Sequence, residues 1–191
     1  MADPFISEPH LAEAEDRVPF RATAPSAAYD GLERIPVCVL LDNVRSMYNV
    51  GSFFRTADAA GIEALYLCGI TGHPPKKEIT KTALGADETV KWQHSWDAIA
   101  VAKDLHARGF EIAALETSAR AVDLFDWQPR FPVCLLFGHE VDGLRPELRE
   151  LADTHVRIPM LGRKHSLNVA TAGGVAIYDL LRKYRALQRG R

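Results

Sequence analysis

Pro132-Val-Cys-Leu-Leu-Phe-Gly-His-Glu-Val-Asp-Gly143 is the stretch whose reading decides the fold. Phe131 to Phe137 is a continuous apolar run, as expected of a strand covered on both faces. Gly138 follows at once and lets a ligand approach the backbone closely. Glu140 and Gly143 then fall in the turn beyond. In an open α/β sheet, ligands bind outside the carboxyl ends of the strands. A tight turn bearing an exposed carboxylate is the plainer explanation, and this segment alone does not choose. His139-Glu140 also begins like a zinc-protease helix, but position 143 is Gly where a second His is required.

Two more segments share the arrangement. Asn49-Val-Gly-Ser-Phe-Phe-Arg55 follows the apolar run Val37 to Leu41, and Ser166-Leu-Asn-Val-Ala-Thr-Ala-Gly-Gly174 follows His155 to Ile158. Each places a Gly and hydrogen-bonding side chains near the end of a strand. Three such segments in one small domain point to a single composite site. Pro36-Val-Cys-Val-Leu-Leu41 resembles Pro132-Val-Cys-Leu-Leu-Phe137, a match too short to be a repeat.

Further strands are expected at Ala64–Cys68, Thr89–Gln93 and Phe110–Leu115. Helices are expected at Val50–Ala60 with Gly61 as its stop, at Thr80–Leu84, from an N-cap at Ser95 to Arg108, at Pro146–Ala152, and from Leu167 to about Leu187. The last should turn Val169, Ala172, Gly173, Ala176, Ile177 and Leu180 inward. Strands alternating with helices predict an α/β domain with a mostly parallel six-stranded sheet and helices on both faces.

The 191 residues, 47% hydrophobic, suffice for one domain with a real core. Residues 1–34, rich in Ala, Pro and acids, read as a mobile or docked extension, and residues 35–191 as the domain. The net charge is −2, so no global basic field advertises nucleic acid. The extension holds seven of the 25 acids and three of the 23 bases, leaving a body with 18 acids and 20 bases. Cys38, Cys68 and Cys134 sit in apolar runs and read as buried small hydrophobes. Their odd number, with no signal peptide, fits a reducing cytoplasm. No stretch has membrane-spanning length, and the histidines show no metal-ligand spacing.

The candidate side chains have bland and functional readings. Asn49 and Ser166 serve as helix caps, and Arg55 pairs with Asp58 on a helix surface, in the bland one. In the functional one, Asn49, Arg55, Glu140, Ser166 and Asn168 converge on a polyanionic substrate, where the planar fork of Arg suits phosphate and ribose oxygens. A cap at Ser166 does not explain Asn168. Gly173-Gly174 inside a helix costs up to ~1 kcal/mol per residue relative to Ala, so something must press on that face. Arg163 and Lys164 upstream, and Lys76-Lys77 in a Gly/Pro loop, suit phosphates. Trp92, His94 and Trp96 suit core and rim packing better than base stacking.

The combined pattern resembles the SpoU (TrmH-like) branch of the SPOUT RNA methyltransferases, over about Ile35 to Tyr184. Lys81-Thr-Ala-Leu-Gly-Ala86 resembles the family's small-residue segment between its first two motifs. The resemblance implies a ribose 2'-O-methyltransferase using S-adenosylmethionine, a homodimer, and a deep C-terminal trefoil knot around the cofactor. Pattern reading does not give the knot, since knotted chains are rare. Carried over by position, Asn49, Arg55, Glu140, Ser166 and Asn168 match the family's polar site residues. The cofactor loops fall at Leu115, Glu116 and Thr117, at Gly138, at Ile158 and Met160, and at Leu167. His139 departs from the Asn that the family often carries before the motif-two Glu.

The resemblance assigns activation of the ribose hydroxyl to Arg55. Arginine normally stays protonated, with a pKa above ~12. Either the site lowers that value, or Arg55 orients the hydroxyl and phosphate while another group takes the proton. Many relatives carry an extra N-terminal RNA-binding domain, for which about 34 residues are too few, so RNA recognition is expected to fall to the catalytic domain, its partner subunit and the tails. A tRNA is favoured over rRNA as substrate. The alternative is an inactive RNA-binding or assembly protein that keeps the fold. A nicotinamide oxidoreductase fits the α/β pattern but lacks the glycine fingerprint.

Overall fold

The computed structural model describes residues 33–190. Of the extension expected at residues 1–34, residues 1–32 lie outside the described residues. Arg34 bonds the carbonyls of Ile62 and Thr89 at 3.2 Å each.

The elements in chain order are β1 Ile35–Asp42, α1 Met47–Ala60, β2 Ile62–Cys68, α2 Lys77–Ala83, α3 Ala86–Thr89, β3 Trp92–Ser95, α4 Ala98–Ala107, β4 Glu111–Leu115, β5 Val122–Asp123, β6 Val133–Phe137, α5 Pro146–Leu151, β7 Thr154–Arg157 and α6 Val169–Arg189. The strands form one sheet in the order β3-β2-β1-β6-β4-β7-β5, and every pairing is parallel. Among the described residues there are seven strands rather than six. The addition is β5, two residues pairing only with β7 and too short to show a period.

Alternation along the strands feeds two cores. In β1, Val37, Val39 and Leu41 join the core beneath α1 and α6, while Cys38 and Leu40 join the one beneath α4 and α5. A strand buried on both sides has no polar position to show, which is why these runs read as continuous. The three cysteines are free and buried. Burial pushes the Cys38 and Cys68 thiols up to about 12 and holds Cys134 well above its ordinary value, so they remain protonated filling.

Three of the boundaries that differ from expectation do so through a local hydrogen bond. The third strand starts at Trp92, because Ala86–Thr89 closes a helical turn. The cap of α4 is Asp97, whose carboxylate accepts from Ala100 N at 3.0 Å; Ser95 ends β3. The cap of α6 is Asn168, whose Oδ1 accepts from Ala170 N and Thr171 N at 3.0 and 3.3 Å, so Ser166 is not the cap.

Candidate functional site

The three segments meet at the carboxyl edge of the sheet. Glu140 accepts at 3.2 Å from Arg45 N and Asn49 Nδ2, and from Ser46 N at the same distance. Asn49 Oδ1 in turn accepts from Asn168 Nδ2 at 3.2 Å. One chain of hydrogen bonds therefore joins Glu140 of the second segment, Asn49 of the first and Asn168 of the third. Burial disfavours the charged form of Glu140. Its own N–H, those of Ser46 and Arg45, and the Asn49 amide outweigh that cost and hold the carboxyl below its usual range.

An apolar contact runs parallel to this polar chain. Phe53 of α1 packs edge-on against Phe137 at the end of β6, with ring centroids 5.1 Å apart. A Cβ on Gly173 of α6 would sit 2.2 Å from the Phe53 ring. Gly173 thus answers the expectation that something presses on that helix face. The presser belongs to the chain itself.

Gly138 needs its glycine for a reason other than ligand approach. A Cβ there would lie 2.3 Å from the Gly143 carbonyl, because the chain folds back on itself. His139 N donates to Gly143 O and Gly143 N to His139 O, at 3.1 and 2.9 Å, and Gly143 takes a left-handed φ of 71°. Leu144 N reaches Glu116 Oε2 at 3.3 Å. Arg145 then clamps Asp42 at the end of β1 with two bonds, at 2.8 and 2.9 Å. The 138–145 loop is held along its whole length.

Beside it lies a cavity of about 400 Å³, the size of a small-molecule site. Its wall includes Leu115, Glu116, Thr117, Gly138, Ile158, Met160 and Leu167, all seven positions expected to meet a cofactor. Glu140, Ser166 and Asn168 line it as well. Val156, His165, Val169 and Ala172 complete much of the rest.

The remaining candidates stand apart. Arg55 is not among the residues that line the cavity. It lies six residues beyond Asn49 on α1, roughly 9 Å along the axis and roughly 120° around it, on the exposed side of the helix. Asp58, its suggested partner, accepts the Thr89 hydroxyl at 2.7 Å. Arg163 and Lys164 are exposed in the loop before α6. Lys76 and Lys77 are exposed at the start of α2.

Sequence reading missed the Asp42–Arg145 pair and the roles of Arg45 and Ser46. Asp42 is 1% exposed, and a lone acid closing an apolar strand was the available signal. Arg45 and Ser46 reach Glu140 through backbone N–H groups, which every sequence supplies; the Ser46 hydroxyl also accepts from Asn49 N at 3.3 Å, so Ser46 rather than Asn49 caps α1. Among the described residues no His/Cys/Asp/Glu group is arranged to hold a metal, and no helix is long and apolar enough to cross a membrane.

A parallel α/β domain with a cofactor-sized cavity at its carboxyl edge, walled by the segments that follow β4, β6 and β7, is what sheet and site define together. The SpoU rRNA methylase family profile matches residues 36–178, and the chain belongs to that family. It is 34% identical over 154 residues to a 23S rRNA (guanosine-2'-O-)-methyltransferase of Ralstonia nicotianae, covering 81% of this chain and 61% of that protein. A tRNA (guanosine(18)-2'-O)-methyltransferase of Aquifex aeolicus is 32% identical, with 76% and 68% covered. An AdoMet-bound rRNA methyltransferase from Sinorhizobium meliloti superimposes with a TM-score of 0.72 at 33% identity, covering 76% of this chain and 56% of that one. The chain thus spans about three fifths of the length of the first of these relatives.

Proposed function

We propose that this chain is an S-adenosylmethionine-dependent RNA methyltransferase acting on a ribose 2'-hydroxyl. The observation that carries the reading is the single hydrogen-bond chain Glu140–Asn49–Asn168 on the rim of a cavity lined by all seven expected cofactor positions. The cavity suits that cofactor. Leu115, Ile158, Met160 and Leu167 offer an apolar wall, and Glu116 and Thr117 offer polar groups at its edge. S-adenosylmethionine supplies a methyl group already activated by the sulfonium, so much of the protein's task is positioning.

Within that reading, Glu140 holds the loop 42–46 against the second segment, and Asn49 and Asn168 fix the rim on which the ribose sits. Ser166, exposed on the cavity wall, orients the ribose or the cofactor loop. Arg55 orients the hydroxyl and its phosphate. Its place on α1, away from its own cavity, fits a homodimer in which each site receives Arg55 of the partner subunit. The outer face of α6 supports such an assembly. Val175 and Tyr178 are exposed there, and a Cβ on Gly174 would meet nothing within 4 Å. The chain after β6 forms the knot around the cofactor. Arg163 and Lys164, with Lys76 and Lys77, meet RNA phosphates. Relatives act on rRNA and on tRNA, and tRNA is the first substrate to try.

The test measures two things on Arg55→Ala: S-adenosylmethionine binding by calorimetry and methyl transfer to RNA. Micromolar cofactor binding with transfer reduced by ~100-fold or more is expected. Retained turnover removes Arg55 from the chemistry, and lost binding gives it a structural role. Wild-type protein that binds no cofactor favours the inactive RNA-binding alternative.

A further inference from the structure

Five rings run in contact along the edge of the sheet made by β3. Phe54 of α1 meets Trp92 edge-on at 6.5 Å. Trp92 stacks on His73 at 5.9 Å with the planes 22° apart, and His73 lies 4.5 Å from His94. His94 meets Trp96 edge-on at 5.1 Å. The ladder starts in the core, where Phe54 is fully buried, and ends in solvent, where Trp96 is 75% exposed. Ile70, at the end of β2, is 61% exposed. Core packing accounts for the inner rings and leaves Trp96 unexplained.

The loop that supplies His73 runs on into Lys76 and Lys77, both exposed. The Lys76 stem lies against Gly72, with its Cδ 3.8 Å from where a Cβ would stand. Asp97, beside Trp96 in sequence, spends its carboxylate on the cap of α4. Glu78 follows Lys77 in the first turn of α2. An exposed aromatic ring, continued by half-buried ones and flanked by exposed ammonium groups, is what single-stranded nucleic acid binds, through base stacking and phosphate attraction. In the sheet order, β3 stands three strands from β6, roughly 14 Å along the edge that carries Gly138.

The geometry points to a base-stacking surface on which Trp96, His94 and His73 hold unpaired bases of the RNA substrate, with Lys76 and Lys77 on its phosphates. RNA as the partner rests on the proposed function. Stacking is read directly by comparing two strands of equal length, an oligoadenylate octamer and an abasic octamer, by fluorescence anisotropy. Trp96→Ala weakens the oligoadenylate by about 10-fold, Trp96→Tyr holds it within about 3-fold, and the abasic strand is indifferent to both. Lys76→Ala with Lys77→Ala weakens both strands and flattens the salt dependence. Cofactor affinity stays unchanged throughout.

Equal oligoadenylate binding by wild type and Trp96→Ala overturns the proposal and makes a protein contact the better use of Trp96. Equal loss on the abasic strand overturns it too. Protein that binds cofactor but neither octamer removes the surface and leaves the methyltransferase standing. Protein that binds no cofactor yet loses the oligoadenylate on Trp96→Ala keeps the surface and removes the methyltransferase.

Discussion

Glu140 is half of an argument that its sequence position could only begin. Its carboxylate gathers two backbone N–H groups and an amide, and all three favour the ionised form. The folded carboxyl therefore ionises below its ordinary value of 4.5, and its contribution to stability is complete above that pH. It fades as pH falls through the folded value. Glu140→Gln should cost ~1 kcal/mol in urea denaturation at pH 7, a modest figure because the group is exposed, and the gap from wild type should close below pH 4. A gap independent of pH would show that the charge is not what holds the loop. Asn168 carries two duties, capping α6 and reaching Asn49. Asn168→Ala should cost ~1 kcal/mol, and a double-mutant cycle with Asn49→Ala should return a coupling of at least ~0.5 kcal/mol. A coupling near zero would mean that the two helices meet without help from this bond. All five polar candidates were legible as residue types. Their partners were not, because Arg45 and Ser46 meet Glu140 through main-chain donors alone.

At the scale of elements, α1, β6 and α6 meet through Phe53, Phe137 and Gly173. Gly173→Ala drives a methyl into the Phe53 ring and should cost ~1–3 kcal/mol by thermal or urea unfolding. Gly174→Ala meets open space and should stabilise the helix by up to ~1 kcal/mol within one subunit. If the outer face of α6 closes a dimer, the same change should weaken self-association in analytical ultracentrifugation. Gly173→Ala without cost would break the packing argument. Strands were readable where runs were long and apolar, as in Val37–Leu41 and Val133–Phe137. The start of β3 was not, because Thr89 belongs by propensity to a strand and by its bonds to a helical turn. Nor was β5, whose two residues are defined only by their neighbour β7. Gly138 shows a third kind of miss. Its need for a bare backbone was plain, but the group approaching it is Gly143 of the same loop, and no sequence spacing says so.

Among the described residues, the Glu140–Asn49–Asn168 chain, the cavity and the aromatic ladder share one edge of a parallel sheet. The order β3-β2-β1-β6-β4-β7-β5 places the cavity over β6, β4 and β7 and the aromatic ladder over β2 and β3. An RNA strand lying along that edge meets both. The clustering of three distant segments was expected from their shared strand-end position, and the seven positions expected to meet a cofactor all line the cavity. The place of Arg55 differs, because six helical residues carry it off the face that Asn49 occupies. The central claim is that this edge delivers a methyl group to a ribose oxygen. The most direct measurement incubates the protein with isotopically methyl-labelled S-adenosylmethionine and unmodified tRNA and rRNA transcripts, digests the RNA to nucleosides, and identifies the labelled product by mass spectrometry. The account predicts a single 2'-O-methylnucleoside, with no label on a transcript carrying 2'-deoxyribose at that position. Label on a base, or none in any RNA from protein that binds the cofactor, would contradict it.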